Sequence, residues 1–340
     1  MLIMKIHYAL IVFATMACLP AKAQEIPSTD ERISKIENTL SKLPRVSGFV
    51  NLRYQYNTAD DANSFDVRRA RLDFRGDIVP KFGYRLQVDF ANNPKILDAY
   101  VDWKINGYFN VRAGQYKIPF SLENPYSPTN LETMDNSLVI TALSGYSDVS
   151  GVSANGRDAG IGFSGNLIRR KGFSIINYSA GIFNGAGINR TDANKSKDFS
   201  GILTIHPVQS LALGVYHYNG RAGEQGGTSR RIRTGSGVKY DDGRWLARSE
   251  YIRGRTGGFK SEGAYAVFGY FVQPKLQTVL KYDYFKRDLS DNNTRRQNYT
   301  AGLNYLPVAN IRLQLNYSYR TSAGIDNHYH YVGTQVIGMF

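Results

Sequence analysis

The 340-residue chain carries 42 Lys and Arg against 28 Asp and Glu, a formal net charge of +14, with 24 Tyr, 17 Phe, 33 Gly and only 11 Pro. Its one cysteine, Cys18, falls in a stretch that reads as a leader, so the mature chain is expected to hold no disulfide, thiol nucleophile or thiolate metal site. No later segment is apolar enough for a transmembrane helix, and no basic block is long enough for a nucleic-acid arm, which leaves an exported β-rich protein.

Residues 1–23, MLIMKIHYALIVFATMACLPAKA, read as a cleaved signal peptide. Lys5 supplies the n-region, the apolar run spans about Ala9 to Leu19, and Ala21-Lys22-Ala23 is an A-x-A cleavage site. The run falls short of the roughly 20 residues of a spanning helix. A lipoprotein signal ending before Cys18 is the alternative, and Thr15 is a poor start for that motif. Cleavage also removes Lys5 and Lys22, and the balance stays strongly basic. Such an excess suits small anions or anionic lipid.

Residues 24–44, QEIPSTDERISKIENTLSKLP, are the one helical segment. Ile26, Ile33, Ile36, Leu40 and Leu43 fall at a/d spacing and Pro44 ends the run. Ile at both position types favours three strands over two, so the segment is expected to be a short periplasmic self-associating helix. Three heptads are marginal alone, and a frayed linker is the alternative.

From Ser47 the apolar period changes to two. VNLRYQY (Val50 to Tyr56) sets Val50, Leu52, Tyr54 and Tyr56 on one face and Asn51, Arg53 and Gln55 on the other. FDVRRARLDFRGDI (Phe65 to Ile78), YRLQVDF (Tyr84 to Phe90), LDAYVDWKI (Leu97 to Ile105) and FNVRAGQ (Phe109 to Gln115) continue the pattern, and eleven later segments repeat it as far as YHYVGTQVIGMF. The candidates number sixteen, each near the length that crosses a bilayer when tilted. Their links alternate. Short ones, such as VPKF, NG, HPVQ and QPK, follow even-numbered strands, and longer polar ones, such as NTADDANS, NGRAGEQGGTSRRI and KRDLSDNNTRR, follow odd-numbered strands. That alternation predicts an all-β fold over 45–340: a transmembrane up-and-down antiparallel β-barrel with short periplasmic turns and both ends periplasmic. A soluble sandwich has no reason to sort its turns this way.

The link after the fifth strand, about 117–157, is much the longest, and a structureless loop of that length is uncommon unless functional. Pro119, Pro125 and Pro128 would stiffen it as a constriction inside the lumen. The chain ends at Phe340, on the same strand face as Val332 and Val336, like the C-terminal aromatic signal of outer-membrane barrels.

Charge fixes which face is which. In the second strand Ala70, Leu72, Phe74 and Ile78 must meet lipid, so that Arg69, Arg71, Asp73, Arg75 and Asp77 point inward. The opposite phase would put each arginine in hydrocarbon at a cost of roughly 2 to 4 kcal/mol near the midplane. The same rule turns Arg53, Arg85, Lys104, Arg112, Lys239, Arg248, Lys281, Arg312 and Arg320 inward, with Asp89, Asp98, Asp102, Glu250 and Asp283 as further inward anions. Cations outnumber anions in this lumen. A narrow pore of one dominant sign concentrates counter-ions, and an arginine fork suits phosphate or carboxylate, although many such arginines brace the wall by pairing with aspartates.

The segments RRARLDFRGDI (Arg68 to Ile78), YRLQVDF (Tyr84 to Phe90), ILDAYVDWK (Ile96 to Lys104) and VRAGQYKIPFSLE (Val111 to Glu123) resemble the phosphate-selective porin O and P family of Gram-negative outer membranes. The resemblance extends diffusely to Phe340. It implies a sixteen-stranded outer-membrane porin, commonly a homotrimer, through which small anions such as phosphate diffuse past inward arginines and constriction lysines. Carried over to matching positions, these are Arg69, Arg71, Arg75 and Arg112, with Lys117 at the start of the long loop. Arg85 and Lys104 join them as expected channel-lining groups. The chain departs from the pattern in having no lysine cluster over 118–156, whose charged residues are Glu123, Glu132, Asp135 and Asp148. That composition argues against a high-affinity phosphate site at the constriction.

Two other classes of barrel need particular residues. A barrel enzyme needs His with Asp or Ser near one rim, and only Asp326, His328 and His330 at the last outer loop come together, where a solvated loop is the simpler reading. There is no P-loop, zinc spacing or calcium loop, so no enzyme, cofactor or metal is expected. A plugged adhesin barrel commonly has fewer strands, and no plug domain is visible, although outer loops such as GRAGEQGG could bind a surface ligand.

Overall fold

The computed structural model describes residues 28–340 except 171, 193, 224–226 and 326. The leader read over 1–23, residues 24–27 of the helical segment and Asp326 lie outside the described residues. The chain divides into two units, Met1–Leu43 and Pro44–Phe340.

In the first unit a helix, α1, spans Thr29–Lys42. Ser28 and Glu31 form a reciprocal capping box: the Glu31 N–H donates to Ser28 Oγ at 3.2 Å and the Ser28 N–H to Glu31 Oε2 at 3.0 Å. Asp30 and Glu31 in the first turn also oppose the positive end of the helix dipole.

The second unit is a closed antiparallel barrel of sixteen strands, each hydrogen-bonded to its sequence neighbours, with the last returning to the first. The strands are β1 (Arg45–Asn57), β2 (Ala62–Val79), β3 (Phe82–Asp89), β4 (Lys95–Trp103), β5 (Asn110–Lys117), β6 (Arg157–Arg170), β7 (Phe173–Phe183) and β8 (Asp198–Val208). They continue with β9 (Leu211–Ala222), β10 (Ser229–Asp241), β11 (Trp245–Thr256), β12 (Phe259–Gln273), β13 (Leu276–Lys286), β14 (Arg295–Val308), β15 (Ile311–Ser322) and β16 (Asn327–Met339). A six-residue helix, α2 (Leu138–Leu143), lies in the long loop between β5 and β6.

The polarity of the wall is the reverse of a soluble sheet. Val50, Leu52, Phe163, Leu280, Leu303 and Val336 are exposed, while Asn51, Arg71, Asp73, Arg248, Asp283 and Gln335 are buried. Only a hydrocarbon solvent makes that arrangement favourable. Closure is made where the chain ends: Gly48 and Phe340 exchange backbone hydrogen bonds at 2.9 and 3.0 Å. A Cβ at Gly48 would collide with the Arg71 carbonyl oxygen and press on the Phe340 ring, so the seam needs glycine.

Two expectations need correcting in detail. Several outer links are shorter than the sequence suggests, because the strands run on past the bilayer as solvated, charged hairpins. β1 and β2 are joined by 58–61 alone, and β11 and β12 by Gly257 and Gly258. The second correction is local. Opposite Asn51 and Leu52, β2 bulges so that Arg69 and Val67 are the facing residues and Arg68 is extra. A strict period of two puts Arg68 on the face of Ala70, in lipid; the bulge lets both Arg68 and Arg69 point inward.

Candidate functional site: the lumen constriction

Residues 118–156 fold into the barrel because they carry their own apolar core to its inner wall. Phe120, Val139, Ile140, Ala142 and Leu143 pack with inward Tyr116, Tyr216, Ile252, Tyr265, Val279 and Phe285. Phe120 meets Tyr216 edge-on at 4.8 Å between ring centroids. α2 lies in this cluster, with Val139 and Ile140 fully buried.

Polar contacts then tie the loop to β2, β8, β10, β11 and β13–β15. The Glu250 carboxylate of β11 accepts the N–H groups of Leu122 at 2.7 Å and Glu123 at 2.9 Å. Asp283 of β13 accepts Leu138 N–H at 3.0 Å, and Asn316 Oδ1 of β15 accepts Met134 N–H at 2.7 Å. Arg248 of β11 holds Glu132 at 2.8 Å and Glu123 at 3.3 Å, and Arg233 of β10 holds Asp148 at 2.9 Å. Arg68 and Arg320 both hold Asp135. All four loop carboxylates are therefore paired with wall arginines.

Those pairings decide the ionisation of the loop. Burial alone would raise the Asp135 carboxyl, yet Arg68 and Arg320 hold it far below the ordinary range. Burial is likewise overcome at Asp148 by Arg233 and Arg231, and at Glu123 by Lys281, Arg248 and bonds from Ser137. The loop is anionic where it is anchored.

The opposite wall, β2 to β6, keeps a different balance. Arg71 pairs with Asp89 at 2.8 Å, Arg85 with Asp73 and with Asp98 at 3.0 Å, and Arg157 with Asp98 at 2.7 Å. Arg112 pairs with Asp102 at 2.6 Å and lies 3.9 Å over the Tyr100 ring. Arg75 shares Asp73, and Lys104 meets Asp77 at 3.1 Å; both cations are more than half exposed. Arg69 has no hydrogen-bond or ion-pair partner among the described residues, and its Nη1 is buried. A cavity of about 290 Å³ lies between this wall and the loop, lined by Arg85, Asp98, Arg112, Tyr116, Lys117 and Phe120 among others.

Of the seven residues singled out from the sequence, Arg85, Arg112 and Lys117 line this cavity. Arg69, Arg71, Arg75 and Lys104 lie on the same wall of β2 and after β4. Lys117 is turned to the loop, donating to the carbonyls of Asn124 and Tyr126, each at 2.6 Å. Arg248, Lys281, Arg312 and Arg320, read as lumen cations, bind loop groups instead: Arg312 donates to Thr129 O at 2.7 Å and Lys281 to Asp135 O at 3.2 Å. Sequence reading missed Arg68, Arg157, Arg231 and Arg233. Arg68 is hidden by the bulge, Arg157 and Arg231 stand at strand ends that read as loop, and Arg233 is the first residue of a candidate strand.

The sequence model of a family described as phosphate-selective porin O and P matches residues 45–339. Comparison with curated proteins finds no match. Among solved structures, an anion-selective porin from Comamonas acidovorans superposes with a TM-score of 0.69 at 14% identity, covering 87% of this chain and 99% of that one. OmpT of Vibrio cholerae gives 0.64 at 12% identity, over 87% and 97%. OmpF of Salmonella typhi, in complex with daunomycin, gives 0.62 at 13% identity, over 88% and 99%. At these identities the likeness is one of fold.

Proposed function

The chain belongs to the phosphate-selective porin O and P family and is an outer-membrane porin, and from that premise we propose that small hydrophilic anions, phosphate among them, diffuse through it preferentially. The observation that carries this reading is the division of labour among the arginines. The carboxylates of the loop are taken up by β10, β11, β15 and Arg68. They therefore do little to offset the field of the β2–β6 wall. That wall turns Arg75 and Lys104 to the open side and Arg85 and Arg112 to the cavity, with Arg71 buried behind them and Arg69 unpaired among the described residues. In a narrow lumen such a field raises the local anion concentration and repels cations. Paired guanidiniums keep spare N–H donors with which to replace part of an anion's hydration shell.

Phosphate is read as a permeant ion rather than a tightly held one. Lys117 spends its donors on loop carbonyls, and no second lysine stands in the loop. We further propose a homotrimer, supported by the a/d pattern of residues 24–44 and by a structural neighbour described as a trimer form, OmpT of Vibrio cholerae. Export through a cleaved leader of residues 1–23 belongs to the same reading.

The test is the reversal potential of single channels in a planar bilayer under a KCl gradient, repeated with added phosphate. A chloride-selective potential, with phosphate carrying current at high concentration and without micromolar block, supports the proposal. A cation-selective or unselective potential would show that the wall aspartates neutralise the arginines.

A further inference from the structure

Among the described residues, the outward strand positions of β9 to β14 carry a cluster of charge at the mouth formed by the links after odd-numbered strands. One cross-strand row there runs Arg253, Glu262, Lys286 and Arg295 over β11 to β14. Beyond it Arg255 stands directly opposite Lys260, and across β9 and β10 Arg221 stands opposite Arg230. By the alternation of the strands all of these point away from the lumen.

Two of the facing pairs within β11–β14, Arg255 with Lys260 and Lys286 with Arg295, are like charges at the separation where cross-strand pairs repel. Little in the described protein offsets them. Glu262 is the one outward carboxylate of the row, and it is engaged by Arg253 at 3.5 Å and the Tyr251 hydroxyl at 2.8 Å. Lys286 donates only to neutral acceptors, Leu289 O and Asn292 Oδ1. Arg255 reaches only the Gly257 carbonyl, at 3.4 Å. The side chains of Lys260 and Arg295 make no hydrogen bond or ion pair among the described residues. In the loop above, Asp288 and Asp291 accept from Ser290 and Asn293 of their own loop, and Asp288 offsets part of the Lys286 charge without an ion pair to it.

Directly below the belt is an apolar groove of about 630 Å³ on the outer wall, floored by small residues, Ala247, Ala266 and Ala301, and walled by Phe268, Tyr282 and Tyr299. Tyr282 lies four residues below Lys286 on β13, about 13 Å along the strand. At the other end of these strands the outward positions, such as Tyr240, Trp245, Tyr270 and Tyr305, are uncharged. The asymmetry matches a membrane with anionic headgroups in one leaflet.

We propose that this sector is a binding surface for a phosphorylated, acylated glycolipid of the outer leaflet. Its phosphates bridge Arg255, Lys260, Lys286 and Arg295, and an acyl chain lies in the groove beneath. Bridging by an external dianion turns each repulsive pair into a site with donors on both strands. The inference uses the barrel's place in the outer membrane and is independent of which ion the lumen passes.

The test uses the purified full-length porin in detergent, with diphosphoryl lipid A and its fully dephosphorylated form as probes, read by native mass spectrometry and by thermal melting. Wild type binds the diphosphoryl form saturably, at least about tenfold more tightly than the dephosphorylated form, and its Tm rises with the ligand. The variant R255Q/K260Q/K286Q/R295Q loses that tenfold while keeping its single-channel conductance, which serves as the folding control. A second variant in the opposite turns, R244Q/K275Q, binds as wild type does. Equal binding of the two probes, undiminished binding by the fourfold variant, or equal loss in the second variant overturns the proposal. Equal stabilisation by phosphatidylglycerol would reduce the belt to a general anionic-lipid contact and also overturn it. A fourfold variant that changes oligomeric state while binding lipid A normally assigns the surface to a second copy of the chain instead.

Discussion

Arg248 of β11 and Glu132 of the long loop are joined by two hydrogen bonds, of 3.1 and 2.8 Å, although 116 residues separate them in sequence. The same guanidinium lies 3.3 Å from Glu123 and donates to the Tyr265 hydroxyl at 2.8 Å. One arginine thus fixes two carboxylates and the middle of the constriction.

Replacing Arg248 by Met should therefore disturb the loop more than the wall. The substitution keeps apolar bulk but leaves Glu123 and Glu132 buried without their partner, a class of change that costs about 3–5 kcal/mol. The expected result is a lower Tm in detergent and a larger, noisier single-channel current, because the loop no longer holds one position. Wild-type conductance and noise in this variant would show that the apolar cluster alone holds the loop.

The same anchors predict a pH dependence. Asp135, Asp148 and Glu123 have native values below their ordinary ones of 3.8, 3.8 and 4.5. A depressed carboxyl contributes stability that is complete above the unfolded value and is lost as pH falls through the native one. The share of the anchoring carried by these three loop carboxylates should hold without change from neutral pH to about the ordinary carboxylate range and weaken only below it. Current noise recorded stepwise from pH 7 downward checks this. Loosening that begins between pH 7 and 6 would contradict it.

Part of this arrangement was legible in the sequence. The phase of β2 follows from its charges alone, since Arg69, Arg71, Asp73, Arg75 and Asp77 can share only the wet face. The closing of the barrel was signalled by Phe340, and the inward loop by its length and prolines. The bulge at Arg68 was not legible, because no glycine or proline marks it and only the pairing with β1 reveals the extra residue. Nor was the use of Arg248, Arg312 and Arg320. A guanidinium on the inner face of a strand reads the same whether it faces water or a carboxylate 100 or more residues away. The loop decides between those fates, and its path depends on a core shared by six strands.

Arg69 and Arg71 separate the two roles an inward arginine can have. Arg71 is buried against Asp89 at 2.8 Å, whereas Arg69 has no partner among the described residues. Arg69→Gln should lower the chloride-to-potassium permeability ratio without lowering Tm, since it removes a buried charge that has no partner among the described residues. Arg71→Gln strands a buried carboxylate and should lower both, with about 3–5 kcal/mol of stability lost. Reversal potentials and melts of the two variants, taken together, test the distinction. Equal selectivity losses at equal Tm would mean the pairing has no influence on the field an ion meets.

Gly156 closes the neck of the loop, and its replacement by Ala should be costly for two separable reasons. Its φ is +70°, a left-handed conformation that costs a residue with a Cβ about 1–2 kcal/mol. The new methyl would also collide with the Asn124 side chain, whose amide donates to Ile118 O at 3.0 Å and Gly156 O at 3.2 Å and so ties the two ends of the loop together. Gly151, at φ +87° with open space around its Cβ, carries the first cost without the second. Gly151→Ala should therefore lower stability by about the backbone term alone, and Gly156→Ala by clearly more. Pairing Gly156→Ala with Asn124→Ala should recover part of the excess, because the methyl then has room, but not the backbone term. Melting temperatures of these three variants and of Asn124→Ala alone form the check. Equal losses at Gly151 and Gly156 would mean that the Asn124 clasp yields without cost, and the neck of the constriction would have to be held by Lys117 and its two carbonyl partners instead.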